Sequence, residues 1–362
     1  MVSTAFFGLQ ISKFNSFGNS EVLHKLSFGV INVSDVPLAE LAPLPPKKLS
    51  NPPEIIKAVY VTGWSAGSSK YLNYLDKLFT NTEINAVVID IKDYSGLVSY
   101  RSGAIKDIDS LVRYLHSKNI YVIGRISVFE DPVFAKAKPE LAVQDKINGG
   151  LWKDNNGLYW LDPTSKEVWD YNISIAKDVF FHGFDEVNFD YVRFPSDGKT
   201  ESIEFPVWDG IKPKPEVIKE FFEYTRAQLA GEAISADLFG QTTTNRDDMG
   251  IGQIIENAFE NFDYVCPMIY PSHYIYGFLG FNNPAEHPYE IVKYSLDTAL
   301  ARQGKLGGKL RPWLQDFDMG ANYTVDMVQA EIKAVKDAMG ENYAGYMLWN
   351  SSNIYTQEAV LK

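Results

Sequence analysis

Eight short runs rich in β-branched and aromatic residues recur along this 362-residue chain, each separated from the next by a stretch with helical periodicity. They are KAVYVTGW (57–64), AVVIDIKD (86–93), IYVIGRISV (120–128), EVNFDYVRF (186–194), AISADLFG (233–240), YVCPMIYP (264–271), RPWLQDFD (311–318) and GYMLWNSS (345–352). Amphipathic stretches such as IKDIDSLVRYLHSKN and TVDMVQAEIKAVKDAMG lie between them, and several close on Gly or Asn, as helix C-termini do. Eight strands alternating with helices imply an α/β fold with a parallel sheet, and favour a closed (β/α)8 TIM barrel over an open doubly wound sheet. A dinucleotide-binding sheet would carry GxGxxG after its first strand, and VTGWSAGSSK does not.

The alternation starts near residue 55. Residues 1–54 read as an N-terminal extension with one short strand-like run, LSFGVINVS (26–34), closing in the linker LAPLPPKKLSNPPE, which is too rich in proline for a helix or a central strand. The barrel then spans 55–362. Its longest excursions follow strands three and four, and both leave the C-terminal face, where this fold builds its sites.

Bulk composition removes several function classes. Lys and Arg number 34 against 46 Asp and Glu, and the net charge of −12 repels nucleic acid and anionic membrane surfaces. No apolar run approaches the roughly 20 residues that span a bilayer, and the first residues lack a basic stretch followed by an apolar one. Cys266 is the single cysteine, which leaves no disulfide within the chain and no Cys-based metal site. The five histidines show no HxH, HxxxH or HExxH spacing, so neither a metal nor a cofactor is expected; His116 and His182, on predicted helices, read as solvated. GxSxG and Walker loops are missing too, which leaves serine-nucleophile and phosphoryl-transfer chemistry without their parts.

Side chains alternate along a strand, so polar residues of inward parity near a C-terminal end look into the barrel mouth. That rule selects Asp90 and Lys92 on strand two, Arg125 on three, Asn188 and Asp190 on four, and Asp237 on five. Tyr270, Gln315 and Trp349 (or Asn350) follow on strands six to eight, with Arg193 beyond Asp190, His273 after strand six and Trp64 after strand one. A single pair such as Asp190 and Arg193 could simply seal a barrel end. Seven strands ending on polar groups point instead to a site.

Two carboxylates flanked by aromatic rings suit glycosidic bond cleavage, in which one carboxylate attacks the anomeric carbon and a carboxylic acid protonates the leaving oxygen. Asp190, with Arg125 or Arg193 close by, is the candidate nucleophile, and Asp237 is the candidate acid/base, its bland alternative being a helix cap. Asp90 and Lys92 would bind sugar hydroxyls, or equally form a structural ion pair within the mouth, and Asn188, Gln315, Arg125 and Arg193 are further candidates for substrate binding. Trp64, Tyr270, His273 and Trp349 would line the sugar faces, although rings in barrels more often serve packing.

The runs KAVYVTGWSAGS, NAVVIDIKDYSGLVSY, NIYVIGRISVFEDPVFAKAKPELAVQ, LYWLDPTSKEVWDYNISIAKD and GFDEVNFDYVRFPSDG, in that order, resemble the glycoside hydrolase family called domain of unknown function 4015, over residues 55 to 355. The resemblance implies a TIM-barrel glycosidase akin to the α-amylase and α-galactosidase groups, with its nucleophile at the end of strand four, here Asp190. It implies an acid/base from strand five or six, here Asp237, and a bacterial cell-envelope or secreted setting with a polysaccharide substrate. The fourth strand also resembles the chitinase pattern DxxDxDxE at Asp185, Asn188 and Asp190, but Val192 stands where the chitinase acid belongs. The rival expectation is a non-catalytic barrel that binds glycan without turning it over.

Overall fold

The computed structural model describes residues 44–362. The extension's strand-like run at 26–34 therefore lies outside the described residues, and Pro45–Lys362 form one compact unit.

Eight parallel strands form the centre: β1 (Ile56–Val61), β2 (Ala86–Lys92), β3 (Tyr121–Ser127), β4 (Glu186–Asp190), β5 (Ala233–Phe239), β6 (Tyr264–Met268), β7 (Trp313–Gln315) and β8 (Gly345–Trp349). Each pairs with its neighbours in chain order, and β8 pairs with β1 through Ala58 and Met347. The ring closes where Trp313 on β7 pairs with both Met268 on β6 and Met347 on β8. A two-residue lead-in, Lys309–Leu310, pairs with the start of β6, so Arg311 and Pro312 split the seventh strand.

Seven helices alternate with these strands: α1 (Ser69–Asn81), α2 (Ile108–Ser117), α3 (Lys166–Phe181), α4 (Lys214–Gln228), α5 (Ile255–Asn261), α6 (Pro288–Gln303) and α7 (Val325–Met339). A short 3₁₀ turn at Gln357–Val360 stands where an eighth would lie. Starts are set by side-chain caps: Asp107 accepts from the Ser110 amide, Ser165 from Val168 and Thr324 from Met327. Among the described residues no helix is long and apolar enough to cross a membrane.

Two hydrophobic layers result from the strand alternation. Outward residues such as Val59, Val87, Val122 and Val187 pack against the helices, while Ala58, Val88, Ile123, Cys266, Trp313 and Met347 fill the lumen. Lower in the lumen Glu186 and Arg311 form a fully buried ion pair, to which the Ser235 hydroxyl donates at 2.5 Å. Asp185, the strand-four acid of the chitinase-like register, sits at the foot of the barrel, accepting from Val122 N, His116 Nε2 and Leu49 N. His116 and His182 are thus not simply solvated, since His182 Nδ1 bonds Asp109 at 2.6 Å; each helix end carries a carboxylate partner within reach.

The two long excursions meet. A ribbon pairs Gln144–Asp145 with Ile203–Glu204, and bridges from Glu130 to Trp160 and from Lys153 to Tyr159 complete a small lobe over β3 and β4. Trp152, Trp160 and Phe194 are its buried rings, with Phe205 and Trp208 packed against Phe194. This lobe walls one side of the barrel mouth.

Candidate active site

The uppermost lumen layer is built from the inward residues at the strand ends. Arg125, from β3, is its hub: Nη1 donates to Asp90 Oδ1 at 2.6 Å, Nη2 donates to Asp190 Oδ2, and Nε lies 3.6 Å from Asp237 Oδ2. The registers of β2, β3 and β4 put Asp90, Arg125 and Asn188 level, and Asp190, paired with Ser127, stands one inward position higher, where the long Arg125 side chain reaches it. Burial on its own would lower the guanidinium's pKa, but Asp90 and Asp190 outweigh it and hold the group well above its ordinary value.

Asp190 terminates β4. Its Oδ1 accepts from the Tyr191 amide at 2.5 Å, and Tyr191 itself adopts a left-handed backbone, φ 54°. A bulky residue rarely takes this conformation without compensation. Here the turn ends the strand on the acid and swings Tyr191 and Arg193 to the rim, which is why a buried strand finishes in charged and aromatic residues.

Asp237, on β5, is 1% exposed. Its Oδ1 accepts from Trp313 Nε1 at 2.7 Å and from Asn188 Nδ2 at 2.9 Å. Burial, then the neighbouring Asp190 charge, pushes its pKa up to about 8 against the opposing pull of Arg125. Oδ1 is thus occupied by two N–H donors, while Oδ2 faces Arg125 Nε.

Above this layer opens a cleft of about 590 Å³, a size typical of small-ligand sites. Arg125, Asp190, Tyr191 and Arg193 line one side, and Met268, Tyr270, His273, Phe317 and Trp349 the other. The rings interlock: Trp349 packs on Tyr60 and Tyr270 at 5.9 Å and edge-on to Phe317 at 5.2 Å. Gly240, also in the lining, turns so tightly over β6 that a Cβ there would fall 2.3 Å from the Met268 carbonyl oxygen.

Most of the residues read from strand ends meet here. Asp90, Arg125, Asn188, Asp190 and Asp237 form the bonded layer, and Arg193, Tyr270, His273 and Trp349 line the cleft. Burial lowers the His273 pKa.

Three of the expected residues lie elsewhere. Lys92 is fully buried on the helix side, paired with Asp131 at 2.6 Å and set over the Tyr171 ring of α3. A register irregularity between Asp90 and Lys92 breaks the parity that would have turned it inward. Gln315 is buried beneath the loops, where it accepts from Ser272 N and donates to Phe317 O, and so ties the two loops together. Trp64 stands on the outer surface, 67% exposed, in the turn after β1, and does not line the cleft.

Selecting polar strand ends passes over Tyr60 and Trp313, although both have inward parity. Tyr60 donates to Asp90, and Trp313 to Asp237. Glu130 escapes the rule as well. It lies in the loop beyond β3, bridging Trp160, and burial followed by the Asp154 charge pushes its pKa up to about 8 despite Arg193.

No curated protein matches the chain. Among solved structures it is similar to the glycoside hydrolase domain of PgaB (BpsB) from Bordetella bronchiseptica, with TM-score 0.60 and 13% identity over 83% of this chain and 95% of that one. It is similar to the α-galactosidase TtGalA from Thermus thermophilus, with TM-score 0.53 and 12% identity over 86% of this chain and 61% of that longer one. These likenesses are of fold. A hypothetical protein from Ruminiclostridium thermocellum ATCC 27405 is 46% identical over 49% of this chain and 96% of its own, with TM-score 0.45. The model of the family DUF4015, described as "Putative glycosyl hydrolase domain", matches residues 58–355. The match takes in all of β2 to β8 and most of β1, and the chain therefore belongs to this family of glycosyl hydrolase domains.

Proposed function

We propose that the barrel cleaves glycosidic bonds of a cell-envelope or extracellular polysaccharide by a retaining two-carboxylate mechanism, with Asp190 as nucleophile and Asp237 as acid/base. The observation that carries this reading is Arg125, whose one guanidinium holds Asp190 at the cleft floor and Asp237 behind it, the latter with its pKa pushed up to about 8. Two groups of the same type are thereby differentiated, as acid and nucleophile must be.

In the first step an Asp190 oxygen forms a bond to the anomeric carbon, while the bond from that carbon to the leaving oxygen breaks and the oxygen takes the Asp237 proton. In the second, water gives a proton back to Asp237 and attacks the same carbon, releasing Asp190. Both carboxyls lie against the same guanidinium, which favours the short separation of about 5–5.5 Å used in retention over the roughly 6.5–9.5 Å of inversion. The rings of Tyr270, Phe317 and Trp349 supply apolar faces for a pyranose, and Tyr191 and Arg193 bound it on the opposite side.

A second donor has its own support. Asp237 lies behind Arg125, whereas Glu130 belongs to the loop beside Tyr191 and is also pushed up to about 8. The deciding experiment incubates the protein with bacterial and plant polysaccharides and follows released sugars and their anomeric configuration by proton NMR. Asp190→Asn, Asp237→Asn and Glu130→Gln run alongside. Release abolished in Asp190→Asn and Asp237→Asn but kept in Glu130→Gln supports the assignment; abolition in Glu130→Gln alone moves the acid role there. Binding without release in the unaltered protein would make the barrel a glycan-recognition module.

A further inference from the structure

Two arginines face the cleft, and they differ in what they have to spare. Arg125 is committed to Asp90 and Asp190, with Asp237 beside it. Arg193 is 8% exposed and lines the same cleft, yet none of the ion pairs among the described residues includes it. Its Nη1 donates to Phe194 O at 3.2 Å and to Ser196 Oγ at 3.0 Å. Nε and Nη2 donate to no described group.

A buried cation without a counter-charge is costly, so such groups are ordinarily paired. Here rings substitute for a partner and also hold the group still: the guanidinium carbon lies 4.6 Å from the Trp160 ring centroid, 4.7 Å from Phe239 and 5.7 Å from Tyr191. Nε and Nη2 share one edge of the guanidinium, the edge whose two parallel N–H groups match the two oxygens of a carboxylate. Glu130, Asp190 and Asp197 act on Arg193 only at a distance. The result is a rigid, largely buried, two-pronged donor with a free edge, in the lining of the same cleft as Asp190.

We propose that Arg193 recognises a carboxylate carried by the sugar that binds beside Asp190, so that the preferred substrate is a uronic-acid-containing glycan. This rests on the glycosidase reading for the place of the sugar, but not for the recognition itself. It also reconciles an acidic chain with an anionic ligand: the net charge of −12 describes the whole chain, whereas Arg193 puts a guanidinium with no ion-pair partner among the described residues into the cleft lining.

The test is binding, measured by calorimetry on the full chain carrying Asp190→Asn so that no turnover intrudes. Probes are tri-galacturonate, tri-mannuronate and a glucuronoxylan fragment, each beside its carboxyl-reduced form, with a sulfated neutral trisaccharide added. At least one uronate is expected to bind on the order of tenfold or more tightly than its reduced form, the scale of one charge-assisted pair. Arg193→Gln should bring that ratio to near one, and Arg193→Lys, which keeps the charge without the fork, to an intermediate value. Circular dichroism of each variant confirms folding.

No uronate preferred over its reduced form, preference for the sulfated probe alone, or a preference that survives Arg193→Gln overturns the proposal. Hydrolysis separates the two readings. Uronate preference without product release in the unaltered protein sinks the glycosidase and leaves Arg193 its role. Release from neutral glycans that is lost in Asp190→Asn, with no uronate preference, does the reverse.

Discussion

The indole N–H of Trp313 donates to Asp237 Oδ1 at 2.7 Å, placing a fixed donor from β7 behind the acid of β5. This bond stabilises the charged carboxylate and so opposes the burial that raises its pKa. Trp313→Phe removes the donor and keeps one aromatic ring in the lumen, leaving a small void where the rest of the indole packed. The pKa of Asp237 should then rise further, and the alkaline limb of the pH–rate profile should move to higher pH. Unfolding in urea should show a loss of about 1–3 kcal/mol for the acceptor left short of a partner.

The pH dependence of the rate comes from the same carboxyl. With Asp237 as the donor, kcat/KM falls as pH rises through about 8, where the acid loses its proton. Asp237→Asn removes that limb along with most of the activity, whereas Glu130→Gln leaves it in place. Stability depends on pH through this group too. A carboxyl whose folded pKa is raised from 3.8 to about 8 contributes stability that is fully present below about pH 4 and is lost as pH rises through 8. Asp237→Asn should therefore flatten the decline in melting temperature over that window.

Arg125 holds its three acidic neighbours together, and removing it tests whether they need it. Arg125→Met leaves Asp90 and Asp190 buried without the cation that bonds them and Asp237 without the charge beside it, which should cost about 3–5 kcal/mol in urea unfolding. Hydrolysis should fall by at least about 10²–10³-fold, as when a preorganised donor is deleted. Arg125→Lys restores the charge without the fork and should recover stability more than rate.

Much of this architecture is legible in the residues. The barrel follows from eight apolar runs of strand length at helical spacing, and the bonded layer follows from period two at their C-terminal ends. Asp90, Arg125, Asn188, Asp190 and Asp237 obey that period because their strands are regular up to those positions. Lys92 breaks it because the register of β2 slips one residue earlier, a backbone irregularity with no compositional mark. Several strands also end before their apolar runs do; β4 stops at Asp190 because Tyr191 turns left-handed, which side-chain chemistry does not announce. Glu130 is hidden for a different reason. It sits in a loop and gains its raised pKa from burial and from Asp154, twenty-four residues away in sequence, contacts that no periodicity encodes.

The Glu186–Arg311 pair provides the control for all of these experiments, because Glu186 lies on the same strand as Asp190 but two inward positions below it. Both side chains of the pair are fully buried, and Arg311 lies over the Tyr264 ring at 4.0 Å. Arg311→Met alone strands a carboxylate in the lumen and should cost about 3–5 kcal/mol, whereas Arg311→Met with Glu186→Leu removes both charges and should recover most of that loss. Ser235, which donates to Glu186 at 2.5 Å, would then lose the acceptor of its hydroxyl proton and keep only the bond it accepts from Asn188 Nδ2 at 3.0 Å, a smaller residual cost. The double variant should hydrolyse a responsive glycan with kcat and KM close to those of the unaltered protein, since nothing in the Arg125 layer bonds to either residue. A large drop in kcat with stability restored would mean instead that charge at the barrel floor reaches Asp190 through the lumen, and pH–rate profiles of the double variant would show it as a shifted alkaline limb.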